Sequence, residues 1–126
     1  MEIVFEKVPL EEYLAFFKAE KNSDIEHWII IQHDYLLEPS WAGFNAYELY
    51  CPNNISITKN SEFIIPTGFK CISDFKKVVC IPHFNVAEDI KLAKDEIKKH
   101  IVIKGTAGEN RCFQNGDRLL KLKFGG

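Results

Sequence analysis

The sequence predicts a single, mainly β domain with one N-terminal helix and one inserted helix. Three observations predict it. Between residues 44 and 81, short apolar segments alternate with turn residues, and strands this short and regularly punctuated belong to sandwiches and barrels. Near the end, Asn115-Gly116 separates Phe113 from the apolar stretch Leu119–Phe124, and Asn-Gly is a strong turn signal between strands. A chain of 126 residues supports one sizeable core and not two.

Taken in order, Glu2 to Glu6 is a short strand. Pro9 opens a helix over 9–20, because Leu10, Tyr13, Leu14 and Phe17 recur at helical spacing. Phe16 lies off that stripe. Asn22-Ser23-Asp24 ends the helix. Residues 27–33 follow as an apolar strand, since Trp28-Ile29-Ile30-Ile31 is the longest apolar run. Asn53-Asn54 and Asn60-Ser61 mark turns around Ile55 and Ile57, and strands follow at Phe63–Ile65, Phe69–Ile72 and Val78–Ile81. Residues 86–98 change period. Val86, Ala87, Ile90, Ala93 and Ile97 line one helical face, with the charged residues outside it. Ile101–Ile103 is a strand, Gly105–Asn110 a loop, and Leu119–Phe124 the last strand. No repeat, linker or low-complexity tract divides the chain.

Hydrophobic residues make up 46% and charged residues 27%, with a net charge of −2. That is ordinary globular composition. It lacks the positive field that a nucleic-acid partner requires. No apolar run approaches the roughly 20 residues of a membrane helix, and the N-terminus has no basic-then-apolar leader. Cys51, Cys71, Cys80 and Cys112 are widely spaced without a CxxC pair, so they are expected to be reduced thiols buried in strands. The expected location is intracellular, cytoplasmic or nuclear, with no membrane partner.

Three stretches carry a resemblance. Ala46-Tyr47-Glu48-Leu49-Tyr50-Cys51-Pro52 runs without a gap to Ile64-Ile65-Pro66-Thr67-Gly68-Phe69-Lys70. Asn115-Gly116-Asp117-Arg118-Leu119-Leu120-Lys121-Leu122 follows near the end. Together they resemble the GYDLYAP, IPTGLK and KGDRIAQL landmarks of the deoxyuridine triphosphatase (dUTPase) family, from about Trp28 to Phe124. Residues 1–24 are an extra N-terminal segment. The resemblance implies a β-clip, or distorted jelly roll. In the family, three such subunits hydrolyse dUTP to dUMP and pyrophosphate. Magnesium orients the triphosphate and a carboxylate activates the attacking water.

Carried over residue by residue, the resemblance gives Glu48 the metal-site carboxylate. The rival role is an exposed strand acid. The Arg-Ser phosphate clamp falls on His83 and Phe84. A phenyl ring donates nothing to phosphate and a neutral imidazole at most one bond. Lys121 stands for a family Gln, keeping attraction for phosphate without the amide's directionality. Arg118, beside the Asn-Gly turn, suits a phosphate or a structural ion pair. The hairpin carrying the catalytic Asp and uracil-stacking Tyr has no counterpart. Asp89 or Asp95 is a conceivable base, but a solvated helix face is the commoner use. No Gly-rich C-terminal arm is expected after Phe124-Gly125-Gly126, and Gly105-Thr106-Ala107-Gly108 is expected to be a turn.

Other chemistry is thinner. Cys80-x2-His83 has a zinc-ligand spacing, but a structural site wants four ligands. No third group orients a Cys–His nucleophile pair. His27 and His33 fall on one strand face as packed or surface residues. The expectation is a non-catalytic, dUTPase-like viral or mobile-element accessory protein that binds an unidentified protein. It needs no cofactor, and is a monomer or a non-standard oligomer, with dUTP or dUMP as conceivable ligands. The alternatives are a divergent magnesium-dependent dUTP pyrophosphatase using Glu48, Arg118 and Lys121 with a relocated base, and a structural β-protein of a particle.

Overall fold

The computed structural model describes residues 2–18 and 23–125. The chain runs β1 (Phe5–Lys7), α1 (Leu10–Phe17), α2 (Asp24–Asp34), β2 (Ser40–Gly43), β3 (Ala46–Tyr50), β4 (Ile55–Ile57), β5 (Glu62–Pro66), β6 (Phe69–Cys71), β7 (Lys77–Pro82), α3 (Lys94–Lys99), β8 (Val102–Thr106), β9 (Arg111–Phe113) and β10 (Arg118–Gly125). The fold is mainly β, and every strand pair is antiparallel. One sheet has four strands in the order β2-β3-β10-β7. Three two-stranded ladders, β1-β6, β4-β9 and β5-β8, make up the rest of the β structure among the described residues.

Alternation builds the central sheet. Leu120, Leu122 and Phe124 point into the core from β10, and Lys121 and Lys123 point out. The core also takes Leu49, Ile65, Ile97, Ile101, Ile103 and Phe113, all almost fully buried. Phe124 is met edge-on by Phe75, with ring centroids 5.1 Å apart. A bulge between Arg118 and Leu120 breaks the pairing with β3. It lets Leu119 and Leu120 both face inward, although they are neighbours in sequence. A second, smaller core joins Val8, Tyr13 and Ile29 under the two N-terminal helices.

The strand expected at 27–33 is helix α2. Ser23, expected to help end the first helix, instead caps the second: its Oγ accepts the Glu26 amide at 3.1 Å. Inside the helix, Ile29 reaches the small core, and His33 Nε2 bonds the Val8 carbonyl at 2.6 Å. Capping and tertiary packing override the strand preference of the isoleucine run. His27 and His33 therefore share a helix and not a strand face. The first helix is shorter than expected. Pro9 is its N-cap, and Lys18 ends it in the left-handed region at φ 50°. Residues 19 and 20 of the expected 9–20 helix, and Asn22 of its expected end, lie outside the described residues. Tyr13 is buried as its spacing predicts.

The helix expected over 86–98 shrinks to Lys94–Lys99. Val86 pairs with Ala107 in an isolated bridge, and the Ala87 amide bonds the Thr106 carbonyl at 2.9 Å. Sheet-type bonding thus claims the start of the segment. Ile90 and Ile97 still reach the core. Gly105, expected in a loop, is in β8. The first strand begins at Phe5 and not at Glu2. Asn115-Gly116 is a tight turn, with Gly116 at φ 89°, but not a hairpin. Its flanking strands β9 and β10 belong to different sheets. All four cysteines are free: Cys51 and Cys71 are buried, Cys80 is half-buried and Cys112 is exposed. The expectation of buried strand thiols fails for Cys112, and Cys51 lies just beyond β3.

Candidate functional site

The four-stranded sheet collects the sequence-predicted residues on its outer face. Glu48 stands directly opposite Ser40 on β2 and Lys121 on β10, and directly opposed residues share a face. Lys121 in turn faces Ile81 on β7. His83 follows Pro82 at the end of β7, where its amide bonds the Leu119 carbonyl at 3.0 Å. Tyr50, two residues beyond Glu48, is opposite Arg118. The bulge at Leu119 turns Arg118 to this side. Glu48, His83, Arg118 and Lys121 thus come together, from three strands and residues far apart in sequence.

At the centre, His83 Nε2 lies 2.8 Å and 3.0 Å from the two Glu48 carboxylate oxygens. Glu48 is 6% exposed, so the expected alternative of an exposed strand acid is excluded. A buried carboxylate needs a partner, and the imidazole supplies it. Beside the pair, Ser40 Oγ and Tyr50 Oη are 2.6 Å apart. Lys121 and Arg118 have no ion pair within 4.0 Å among the described residues. Arg118 is exposed and Lys121 half-buried. Two cations are thus available to an anion, but the one acid between them is already engaged.

Phe84, at the other clamp position, turns away from this face. It is 7% exposed and packs edge-on against Phe63 and Phe113, with centroids 5.2 Å and 5.4 Å away. The residues do not fit magnesium. That ion wants an octahedron of oxygens, usually one or two carboxylates with waters and phosphates. Here both oxygens of the single carboxylate face an imidazole, and no cluster of three His, Cys, Asp or Glu side chains is placed to hold an ion among the described residues. Asp89 lies in the segment between β7 and α3, and Asp95 on α3. Both are exposed. Cys80 and His83 are not joined by further ligands, since His83 bonds Glu48. Burial pushes the Cys80 thiol up to about 12 and the Cys51 thiol up to about 11. Neither is a thiolate nucleophile near neutral pH.

The sequence did not mark Ser40 and Tyr50 as neighbours of Glu48, although Tyr50's two-residue spacing puts it on the same face of the strand. It also missed a second polar junction, at Pro66-Thr67-Gly68. Thr67 Oγ1 donates to the Ile101 carbonyl at 2.7 Å. The Gly68 amide donates to His100 Nε2 at 3.0 Å, and the Gly68 carbonyl accepts the Val8 amide at 2.9 Å. One turn thereby ties the N-terminal segment, α3 and the β core. His100 is flanked by the rings of Tyr13 and Phe16, and burial holds its imidazole down at about 4. Burial likewise raises the Tyr13 phenol.

No helix among the described residues is long and apolar enough to cross a membrane. No protein-family model matches the chain, and no curated protein matches it in sequence.

Proposed function

We propose that the chain is a non-catalytic module of dUTPase-like organisation, a β-clip that works by binding another protein, in the manner of a viral or mobile-element accessory protein. The observation that carries this reading is the fate of positions 83 and 84. Where the resemblance implies a phosphate clamp, one residue closes over Glu48 and the other is committed to the core. Loss of a water-activating base alone lowers turnover by a factor of about 10² to 10⁴. Two further supports are structural. The first and last landmarks are held together: the Cys51 amide bonds the Asp117 carbonyl at 2.8 Å, and the Gly116 amide bonds the Cys51 carbonyl at 3.0 Å. The surface also presents Trp28, Tyr35, Trp41 and Phe44, the last 85% exposed. Large aromatics displayed this way suit a protein partner.

The second reading is a divergent dUTP pyrophosphatase, favoured by the convergence of Glu48, His83, Arg118 and Lys121 on one face. Its relocated base is His83, oriented by Glu48 as a carboxylate orients a catalytic imidazole. A single measurement separates the two. Pyrophosphate release from dUTP, with magnesium present, should stay at the uncatalysed level. Robust release that disappears in Glu48→Gln would overturn the non-catalytic reading. Melting temperature with dUTP or dCTP then reports retained binding, which stabilises by RT ln(1 + [L]/Kd). A rise with dUTP alone indicates a nucleotide sensor, and no rise leaves protein binding.

A further inference from the structure

One apolar surface lies away from the Glu48–His83 centre, and a second adjoins the centre and shares Lys121 with it. The first is on α2. Ile25 and Trp28 are one turn apart, and Tyr35 stands two turns beyond Trp28 at the C-cap. Such spacings share a face. The three side chains are 65%, 69% and 74% exposed, and Asp24 and Asp34 border them. The second is the outer face of β7 and β10. Val79 and Ile81 project there, opposite Lys123 and Lys121. The Lys77 stem lies over Gly125 on the same side. A groove of about 520 Å³ runs between β7 and residues 89–92, along an edge of the sheet that no described strand covers.

Charge differs between them. Asp24 and Asp34 lie on α2 beside its stripe, while Lys77, Lys121 and Lys123 outnumber Asp89 on the other. The parts of the chain that carry them differ in the same sense. Residues 1–38 hold nine acids and three lysines, a net of −6, while residues 39–126 hold nine acids and thirteen Lys or Arg, a net of +4. We propose that the chain self-associates head to tail. The apolar stripe of α2 in one copy docks on the β7–β10 face of the next, acids toward lysines. Like-to-like pairing is disfavoured on both sides: two α2 stripes would bring Asp24 and Asp34 toward their equivalents, and two sheet faces would oppose Lys77, Lys121 and Lys123. A second copy is the favoured occupant because one chain displays both halves of the complementary pair. Unlike surfaces in contact give a ring or an open chain, not a two-fold dimer. This gives the protein-binding reading one named partner, but the contact needs no dUTPase ancestry.

Sedimentation velocity on the full chain tests it. At protein concentrations up to about 1 mM, the average mass should rise above the monomer at ~0.05 M salt and return toward it at ~0.5 M. Ile25→Lys/Trp28→Lys and Lys77→Glu/Lys123→Glu, all at exposed positions, should each remain monomeric. Their equimolar mixture should form a one-to-one dimer and nothing larger, because one intact face of each kind remains. A wild-type chain that stays monomeric at low salt, or a mixture that does not associate, overturns the proposal. So does a dimer that survives high salt. Pyrophosphate release from dUTP would overturn the non-catalytic reading and leave self-association standing.

Discussion

Acidification from pH 7 to pH 5 should destabilise this protein by about 2 kcal/mol through His100. Its Nε2 accepts the Gly68 amide at 3.0 Å, so the folded state requires an unprotonated nitrogen there. Protonation would set two donors against each other and strand a charge between aromatic rings. The group's ordinary value is 6.5, and burial lowers it to about 4 in the fold. Above pH 6.5 the imidazole is neutral in both folded and unfolded chains and contributes nothing. Between 6.5 and 4 the unfolded chain takes up a proton that the folded chain refuses, so stability falls as pH falls, and the loss levels off below 4. At pH 5 about 1.5 pH units of that window have been crossed, at 1.36 kcal/mol each, which gives about 2 kcal/mol. Urea unfolding followed by circular dichroism at pH 7, 6 and 5 measures it, with an unchanged m-value. His100→Gln keeps an acceptor for the Gly68 amide without a titration in this range, so it separates this imidazole from every other group. If wild type and His100→Gln lose stability in parallel, the argument for His100 is refuted.

Gly68→Ala should cost about 1–3 kcal/mol, because φ is +82° and the added Cβ would sit 2.3 Å from Leu36 Cδ1. The urea midpoint measures the loss, and pairing the change with Leu36→Ala should recover only the steric part. Ser23→Ala removes the cap on the Glu26 amide and should lower stability by about 1 kcal/mol. An unchanged midpoint would show that packing alone maintains α2.

The short strands were legible because each fits a local rule. Phe63, Ile65, Leu120 and Leu122 sit at every second position and are buried, and the intervening residues face out or half out. The sheet partners were not legible. β9 and β10 flank a strong turn yet pair with β4 and with β3 and β7. The Asp117 amide closes the turn on the Gln114 carbonyl, but the turn is also fastened to Cys51 and Asn54, and the strands diverge from it. Helix α2 was misread for a related reason. An isoleucine run satisfies a strand or a buried helix equally well. What decides is the Ser23 cap and the contacts of Ile29 and His33 with a segment some twenty residues earlier.

For the candidate site, the sequence singled out residues that the fold brings to one face, but it did not reveal their state. Glu48, His83, Arg118 and Lys121 do share one face, yet their spacing in the chain does not say that the first two spend their polar atoms on each other. That follows from the register. β10 lies between β3 and β7, the bulge before Leu120 re-aims Arg118, and His83 extends the β7 edge far enough to reach across to Glu48. The same register separates the outer face from the core. Leu120, Leu122 and Phe124 hold the strand in the core whichever polar residues alternate with them, so selection on stability leaves the outer positions free to change. Glu48 is the exception. Once buried, its charge is tolerated only while His83 remains, and the pair must be kept or lost together.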